Sequence, residues 1–270
     1  MIPFRDNIPA RTAPVLTVTL IAINTIVFFF QSGMSQEGEH RFIYRWGMVP
    51  ASFQMIGQGR QMVQVPGEQL MRRGRWGRTV VIQLPPRHFE LEGTWTDALV
   101  RLFTSMFLHG NLMHLVGNMW FLWLFGDNVE DRLGRARYLL LYVLSGLAAG
   151  VTQVYVDWGG LVPVVGASGA IAGVLGGYMI TYPYARVLAW VPFFYFFWNV
   201  IELPAIVFLG IWFLMQFFNG AAALGGTGGG GVAYWAHVGG FLAGILLMWL
   251  LAAEPTGRRG PRWVELADDN

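Results

Sequence analysis

Apolar residues in this chain fall in blocks rather than at alternate positions. Six blocks cover roughly residues 14–31, 103–125, 138–157, 167–182, 203–219 and 232–252. Each comes near the ~20 residues a helix needs to cross a hydrocarbon core. A helix satisfies its own backbone hydrogen bonds inside lipid, where an open strand does not. The pattern therefore predicts an all-α polytopic membrane protein, a single membrane domain over residues 1–270 built as a six-helix bundle. Residues 32–102 become a long first loop, and residues 253–270 a tail. The fourth block is the shortest and predicts a helix that starts below the membrane surface. No small-residue cleavage site follows the first block, which reads as a retained span rather than a removable signal.

The polar stretches between the blocks set the expected orientation. Arg5 and Arg11 precede the first block, Arg132, Arg135 and Arg137 lie between the second and third, Arg186 between the fourth and fifth, and Arg258, Arg259 and Arg262 after the sixth. Short loops rich in arginine stay in the cytoplasm. With an even number of spans both termini are expected there. The first loop is also arginine-rich, but loops longer than roughly 60 residues cross largely regardless of charge, so it is expected outside. Within it, Arg78–Leu84 alternates as a strand does, and Pro85–Pro86 ends the run. Trp46, Phe53, Trp76 and Trp95 suit either a segment lying in the membrane interface or a partly ordered loop. The run Leu224–Gly231, "LGGTGGGG", has high backbone freedom and reads as a mobile flap or a plain linker.

Composition agrees with the blocks. The chain is 54% hydrophobic and 13% charged, against about a quarter charged for a soluble domain. A net charge of +2 does not suggest nucleic acid. Cysteine is absent, which excludes thiolate catalysis, disulfides and cysteine metal sites. The arginine distribution suggests a bacterial-type inner membrane.

Polar side chains inside spans are costly and call for a partner or a purpose. His114 and Asn118 share one face of the second span, one to two turns in from its start. Ser168 opens the fourth span, and His237 lies in the second turn of the sixth. All three spans run in the same direction, so these groups can meet at one shallow depth. Gly169, Gly173 and Gly177 form a small-residue stripe on the fourth span, and Ala236, Gly240 and Gly244 form another on the sixth. Such stripes let backbones approach closely, and if these two face each other Ser168 and His237 come near contact. A histidine can take the proton of a serine hydroxyl, making it a nucleophile. His114, the Asn118 amide and the Ser168 N–H could then stabilise an oxyanion. A Ser–His dyad is the simpler arrangement, and Asp157 is the nearest candidate for a third member. Other classes fit less well. A transporter predicts inverted repeats or matching helix breaks, which are not visible. A metal site from His109, His114 and His237 lacks a carboxylate and compact spacing, so neither metal nor cofactor is expected. His109 reads as structural or interfacial.

Gly166–Ala170 ("GASGA"), Ala236–Gly244 ("AHVGGFLAG"), His109–Asn118 ("HGNLMHLVGN") and Gly126–Gly134 ("GDNVEDRLG") occur in an order that resembles the rhomboid family of intramembrane serine proteases. Val100–Gly110 is similar to the family's arginine-containing entry to the second span, with Val100 where a tryptophan often stands. Arg45–Phe53 is similar to the start of its first loop. The resemblance covers about residues 101–252. It implies Ser168 as nucleophile, His237 as general base, and His114 and Asn118 as oxyanion contributors, with Gly166 letting the backbone bend. It implies structural roles for Arg101, Glu130, Arg132, Gly240 and Gly244. It also implies cleavage of transmembrane protein substrates near their outer ends, within the lipid bilayer. An inactive relative that only binds membrane helices would need neither Ser168 nor His237.

Overall fold

A computed structural model of the chain describes residues 1–65, 67, 69–73, 79–83, 85–193, 197–225 and 231–252. Residues 226–230 and the tail 253–270, to which the flap and tail readings refer, lie outside the described residues. In chain order the elements begin with β1 (Ile2–Asp6), α1 (Val15–Ser32), α2 (Gln36–Trp46), α3 (Ala51–Gln54), β2 (Gly59–Val65), β3 (Gln69–Arg73), β4 (Thr79–Gln83), β5 (Arg87–Gly93) and α4 (Trp95–Thr104). They continue with α5 (Leu112–Leu133), α6 (Arg135–Val156), α7 (Ser168–Thr181), β6 (Arg186–Phe193), β7 (Phe197–Pro204), α8 (Ala205–Leu224) and α9 (Tyr234–Leu251). The molecule is mostly helical. By length and composition α1, α6, α8 and α9 can each cross a membrane. α5 carries Asp127, Glu130, Asp131 and Arg132 in its last turns, and α7 has only 14 residues.

α7 is the central helix, packed among α5, α6, α8 and α9. Every residue from Gly169 to Tyr178 is buried. This explains why it is apolar on all sides rather than along one stripe. At 1.5 Å per residue it rises about 21 Å, short of the ~30 Å hydrocarbon core.

The two small-residue stripes do face each other. A Cβ on Gly240 would lie 2.0 Å from the Gly169 carbonyl oxygen, and one on Gly244 1.9 Å from the Gly173 oxygen. A Cβ on Gly176 would meet the Phe241 oxygen at 2.3 Å. α6 closes the third side, since a Cβ on Gly169 would sit 2.5 Å from Ala149 Cβ and one on Gly173 2.2 Å from Ser145 Cβ. Backbone therefore packs on backbone, a contact that any side chain at these positions would separate.

Three sequence expectations need correcting. The second helix does not start at Phe103. α4 ends at Thr104, Ser105–Phe107 forms a 3₁₀ turn, and α5 begins at Leu112 with the Asn111 side chain accepting from the His114 N–H at 2.8 Å. This cap resets the start, because an asparagine side chain in extended backbone satisfies a first-turn donor. His114 and Asn118 consequently occupy the first two turns of α5, and His237 the first turn of α9. Residues 126–134 are not a loop either. Helix continues through Leu133, and the α5–α6 joint is the single residue Gly134 at φ +73°. Lastly, the fold is not purely α. β1, β6 and β7 form an antiparallel sheet, β2 pairs with β5, and β3 pairs with β4. β6 is rich in β-branched and aromatic residues, which favours strand, and its Val187 and Ala189 are fully buried.

The long first loop is an ordered body in its described part. Tyr44 stacks on Phe89 with ring centroids 3.6 Å apart, in a small core with Val49, Ala51, Val63 and Leu91. It is fastened to the helices by Arg101, whose buried guanidinium bonds Asp97 and the Tyr44 carbonyl, while Arg45 pairs with the same Asp97.

The opposite end is tied by Glu130. Its carboxylate accepts from the N–H groups of Leu16 at 2.9 Å and Thr17 at 2.8 Å, and from the Thr17 hydroxyl at 2.9 Å. α1 begins after Pro14 with no side-chain cap of its own, so a carboxylate from α5 takes the orphan donors and meets the positive end of the helix dipole. Arg132, expected beside Glu130, is exposed and forms no hydrogen bond or ion pair among the described residues.

Two stability predictions follow from these contacts. Gly244→Ala should lower stability by about 1–3 kcal/mol through overpacking, whereas Gly210→Ala, where a Cβ meets nothing within 4 Å, should not. Thermal unfolding in detergent micelles compares the pair. Glu130→Ala strands two backbone donors and should cost at least about 2 kcal/mol, read in the same assay; an unchanged midpoint would remove Glu130 as the α1 cap.

Candidate functional site

The loop before α7 is held before the helix begins. Met48 and Val164 bond reciprocally at 3.1 and 2.7 Å, and the Ala51 N–H donates to the Gly160 carbonyl at 2.9 Å. The Gly166 N–H donates to the Ser105 carbonyl at 2.9 Å. The Thr104 hydroxyl donates to the Trp46 carbonyl at 2.6 Å. Thus the first loop and the 3₁₀ turn together fix the entry to Ser168.

Gly166 has φ +131°, a conformation that L side chains rarely adopt. A Cβ there would also lie 2.8 Å from His114 Cε1 and 2.9 Å from His114 Nε2, and 3.6 Å from Ser168 Oγ. Glycine is required twice over, for the turn and for the approach of the imidazole. This places His114, the Gly166 backbone and Ser168 around one small volume.

Ser168 is the first residue of α7, where backbone N–H groups have no intrahelical acceptor. His237 Nε2 lies 2.8 Å from its Oγ, across the α7–α9 contact. An imidazole nitrogen at this distance can take the hydroxyl proton. Ser168 and His237 are each half-buried, so the pair is partly sheltered and still accessible. Asn118 is buried, and its Nδ2 has no hydrogen-bond partner among the described residues. A buried amide donor with nothing to donate to is unfavourable by about 1–3 kcal/mol. It lies on the same face of α5 as His114, four residues on.

His109 does not sit at an interface. It is fully buried, with its ring edge-on to His114 at 5.2 Å between centroids. Its carbonyl accepts from Gln31 Nε2 at 2.6 Å, tying this turn to α1. Gly240 and Gly244 act as already described, by letting α9 reach α7. Asp157 is not the partner of the imidazole. His237 Nδ1 instead faces Gln216 Oε1 at 2.9 Å, a residue on α8 that the sequence reading passed over. The signal was present: Gln216 and Asn219 are the polar side chains in an otherwise apolar 20-residue helix, and intramembrane polar residues are functional candidates by default.

Comparison with known proteins extends these observations. The model of the Rhomboid domain matches residues 96–254, which include Ser168, His237, His114, Asn118 and Gly166. The chain is 28% identical over 195 residues to Rhomboid protein 1, mitochondrial, of Saccharomyces cerevisiae, covering 70% of this chain and 52% of that protein. It is 31% identical over 161 residues to Rhomboid-like protein 11, chloroplastic, of Arabidopsis thaliana, covering 57% and 52%. To the human Presenilin-associated rhomboid-like protein, mitochondrial, it is 34% identical over 133 residues, covering 46% and 34%. The chain thus spans about half the length of the first two relatives and a third of the last. Mitochondrial and chloroplastic relatives give a bacterial inner membrane no support. They do agree with a membrane protein. Since the domain match takes in more than half of the 270 residues and the whole site, the chain belongs to the Rhomboid family.

Proposed function

We propose that this protein is an intramembrane serine endopeptidase that cleaves transmembrane proteins near their outer ends. The observation that carries the proposal is the 2.8 Å contact between Ser168 Oγ and His237 Nε2, made by residues of two helices that glycines bring together. In this reading His237 takes the Ser168 proton as Oγ attacks the scissile carbonyl. His114, Asn118 Nδ2 and the Ser168 N–H receive the oxyanion. Collapse of the tetrahedral intermediate expels the amine, which takes the proton from His237. A water then loses a proton to His237 and attacks the ester. The acid product leaves, and the proton returns to Ser168.

In the same reading α1, α5, α6, α7, α8 and α9 are six spans of one membrane domain, with both termini cytoplasmic. Support comes from the end of the molecule that collects the arginine-bearing segments. β1 pairs with β6 there, the Thr12 hydroxyl donates to Asp131 at 2.7 Å, and Arg137 Nη1 donates to the Leu251 carbonyl at 3.2 Å. The Ser168–His237 pair opens α7 and α9, and α9 finishes at that arginine-rich end, so the pair belongs near the outer side. The short α7 and the first loop packed at its entry would let water reach the pair from there.

The test is cleavage of a labelled single-span substrate by purified protein in lipid vesicles. Ser168→Ala and His237→Ala should each lose about 10⁴-fold or more, and Asn118→Ala about 10²–10³-fold in kcat. Cleavage that survives in Ser168→Ala would end the serine assignment. Gly166→Ala should abolish turnover in the same assay, because its Cβ displaces His114; full activity would show that this approach is dispensable.

A further inference from the structure

The imidazole of His237 touches two neighbouring helices, α7 through Ser168 and α8 through Gln216, and the second contact is unassigned. Gln216 is one of five buried residues on α8. An amide inside an apolar helix is unfavourable unless both of its ends are bonded. Both are bonded here. Nε2 donates to the Trp212 carbonyl at 3.3 Å, one helical turn back, and Oε1 lies 2.9 Å from His237 Nδ1.

Elementary donor and acceptor rules fix the direction of each bond. The Trp212 carbonyl can only accept, so the amide nitrogen must point at it, which turns the amide oxygen toward the ring. That oxygen can only accept, so His237 Nδ1 must carry the proton. A neutral imidazole has one N–H, which leaves Nε2 with its lone pair directed at the Ser168 hydroxyl, 2.8 Å away. The local helix geometry of α8 thus selects the tautomer in which His237 can act as a base.

Packing supports the same seat. The Trp212 ring lies 5.9 Å from the His237 ring and 6.0 Å from Phe241, and Phe213 stacks on Phe241 at 4.9 Å. A Cβ on Gly220, one turn beyond Gln216, would lie 3.1 Å from the Trp235 ring, so α8 also sits close to α9 there. Gln216 is held in register with the ring it contacts.

We infer that Gln216 is a positioning residue, which holds His237 in the Nδ1–H tautomer and supports the imidazolium formed as Ser168 is deprotonated; this rests on the protease reading above. When the ring gains a proton, the Nδ1–H bond becomes charge-assisted and strengthens. The support therefore grows toward the transition state, which raises kcat rather than substrate affinity. A carboxamide supplies it without burying an unpaired carboxylate beside the base. The arrangement parallels the Cys–His–Asn sites, where an amide orients the histidine.

The experiment combines kinetics with ¹⁵N-histidine solid-state NMR on the protein in lipid vesicles, His237 being assigned by difference from His237→Ala. Gln216→Met keeps the volume and removes the acceptor. It should lower kcat about 10- to 100-fold with KM unchanged, and populate the Nε2–H form of His237. Gln216→Glu, which restores an acceptor at the same reach, should recover most of that loss. In a His237→Ala background Gln216→Met should have no further effect, since a residue acting through another adds nothing once that other is gone. Wild-type kcat in Gln216→Met overturns the inference, as does loss of activity with His237 still in the Nδ1–H form. Should Gln216→Met fail to fold, the wild-type spectrum decides: His237 protonated at Nε2 overturns the assignment. Ser168→Ala run in parallel separates the two readings. Wild-type protein without Ser168-dependent cleavage fails as a protease, whereas the tautomer is read without any turnover.

Discussion

The carbonyl oxygens of Gly169 and Gly173 occupy the places where side chains on Gly240 and Gly244 would have to be. This backbone contact between α7 and α9 is the constraint on which the rest of the site depends. Lipid gives helices no hydrophobic reason to associate, so close van der Waals packing must hold them together. Removing side chains from both faces brings many atoms to optimal separation, each contributing only about 0.1–0.2 kcal/mol. The same approach sets the distance between Ser168, at the start of α7, and His237, in the first turn of α9. Packing and chemistry are here one feature rather than two.

Closeness of two helices does not aim a side chain, and the remaining elements supply the aim. The first loop holds the segment before Ser168 through the Met48–Val164 pair, and Ser105 receives the Gly166 N–H. Arg101 fastens that loop to α4 from a fully buried position, with Asp97 and the Tyr44 carbonyl as partners. Burying a guanidinium is tolerable only when it is paired and hydrogen-bonded in this way. α5 brings His114 against Gly166, and α8 brings Gln216 against His237. Separate stretches of chain therefore position the Ser168–His237 pair, each through its own contact.

The far end shows the same economy with polar groups. Glu130 caps α1 from α5, and the Thr17 hydroxyl reaches Tyr138 of α6 at 3.2 Å. Asp6 of β1 accepts from Tyr178 of α7 at 2.5 Å and from Asn128 of α5 at 3.0 Å. Burial raises the Asp6 carboxyl above the usual carboxylate range, opposed by its hydrogen bond to Tyr178. Each of these bonds joins different elements of the fold, so the end opposite the Ser168–His237 pair is cross-tied by polar contacts, while the α7–α9 seam relies on bare backbone.

By itself the sequence determined the helices and their order, because lipid demands long apolar runs and permits little else. Helices α1, α6, α7 and α9 begin and end within three residues of their blocks, while α8 runs on to Leu224, past the end of its block. The sequence also determined Ser168, His237, His114 and Asn118 as candidates, since polar residues in such runs stand out, and the glycine stripes announced which helices could touch. The tertiary structure decided what composition leaves open. It moved the start of the second helix to Leu112, because an Asn111 cap outweighs the apolarity of Phe103–Leu108. It ordered the first loop around Tyr44 and Phe89, a contact between residues far apart in sequence. It made strands of β1 and β6, whose pairing no local pattern specifies. It chose Gln216 over Asp157 as the partner of His237, because tertiary packing alone places an α8 side chain against the α9 imidazole.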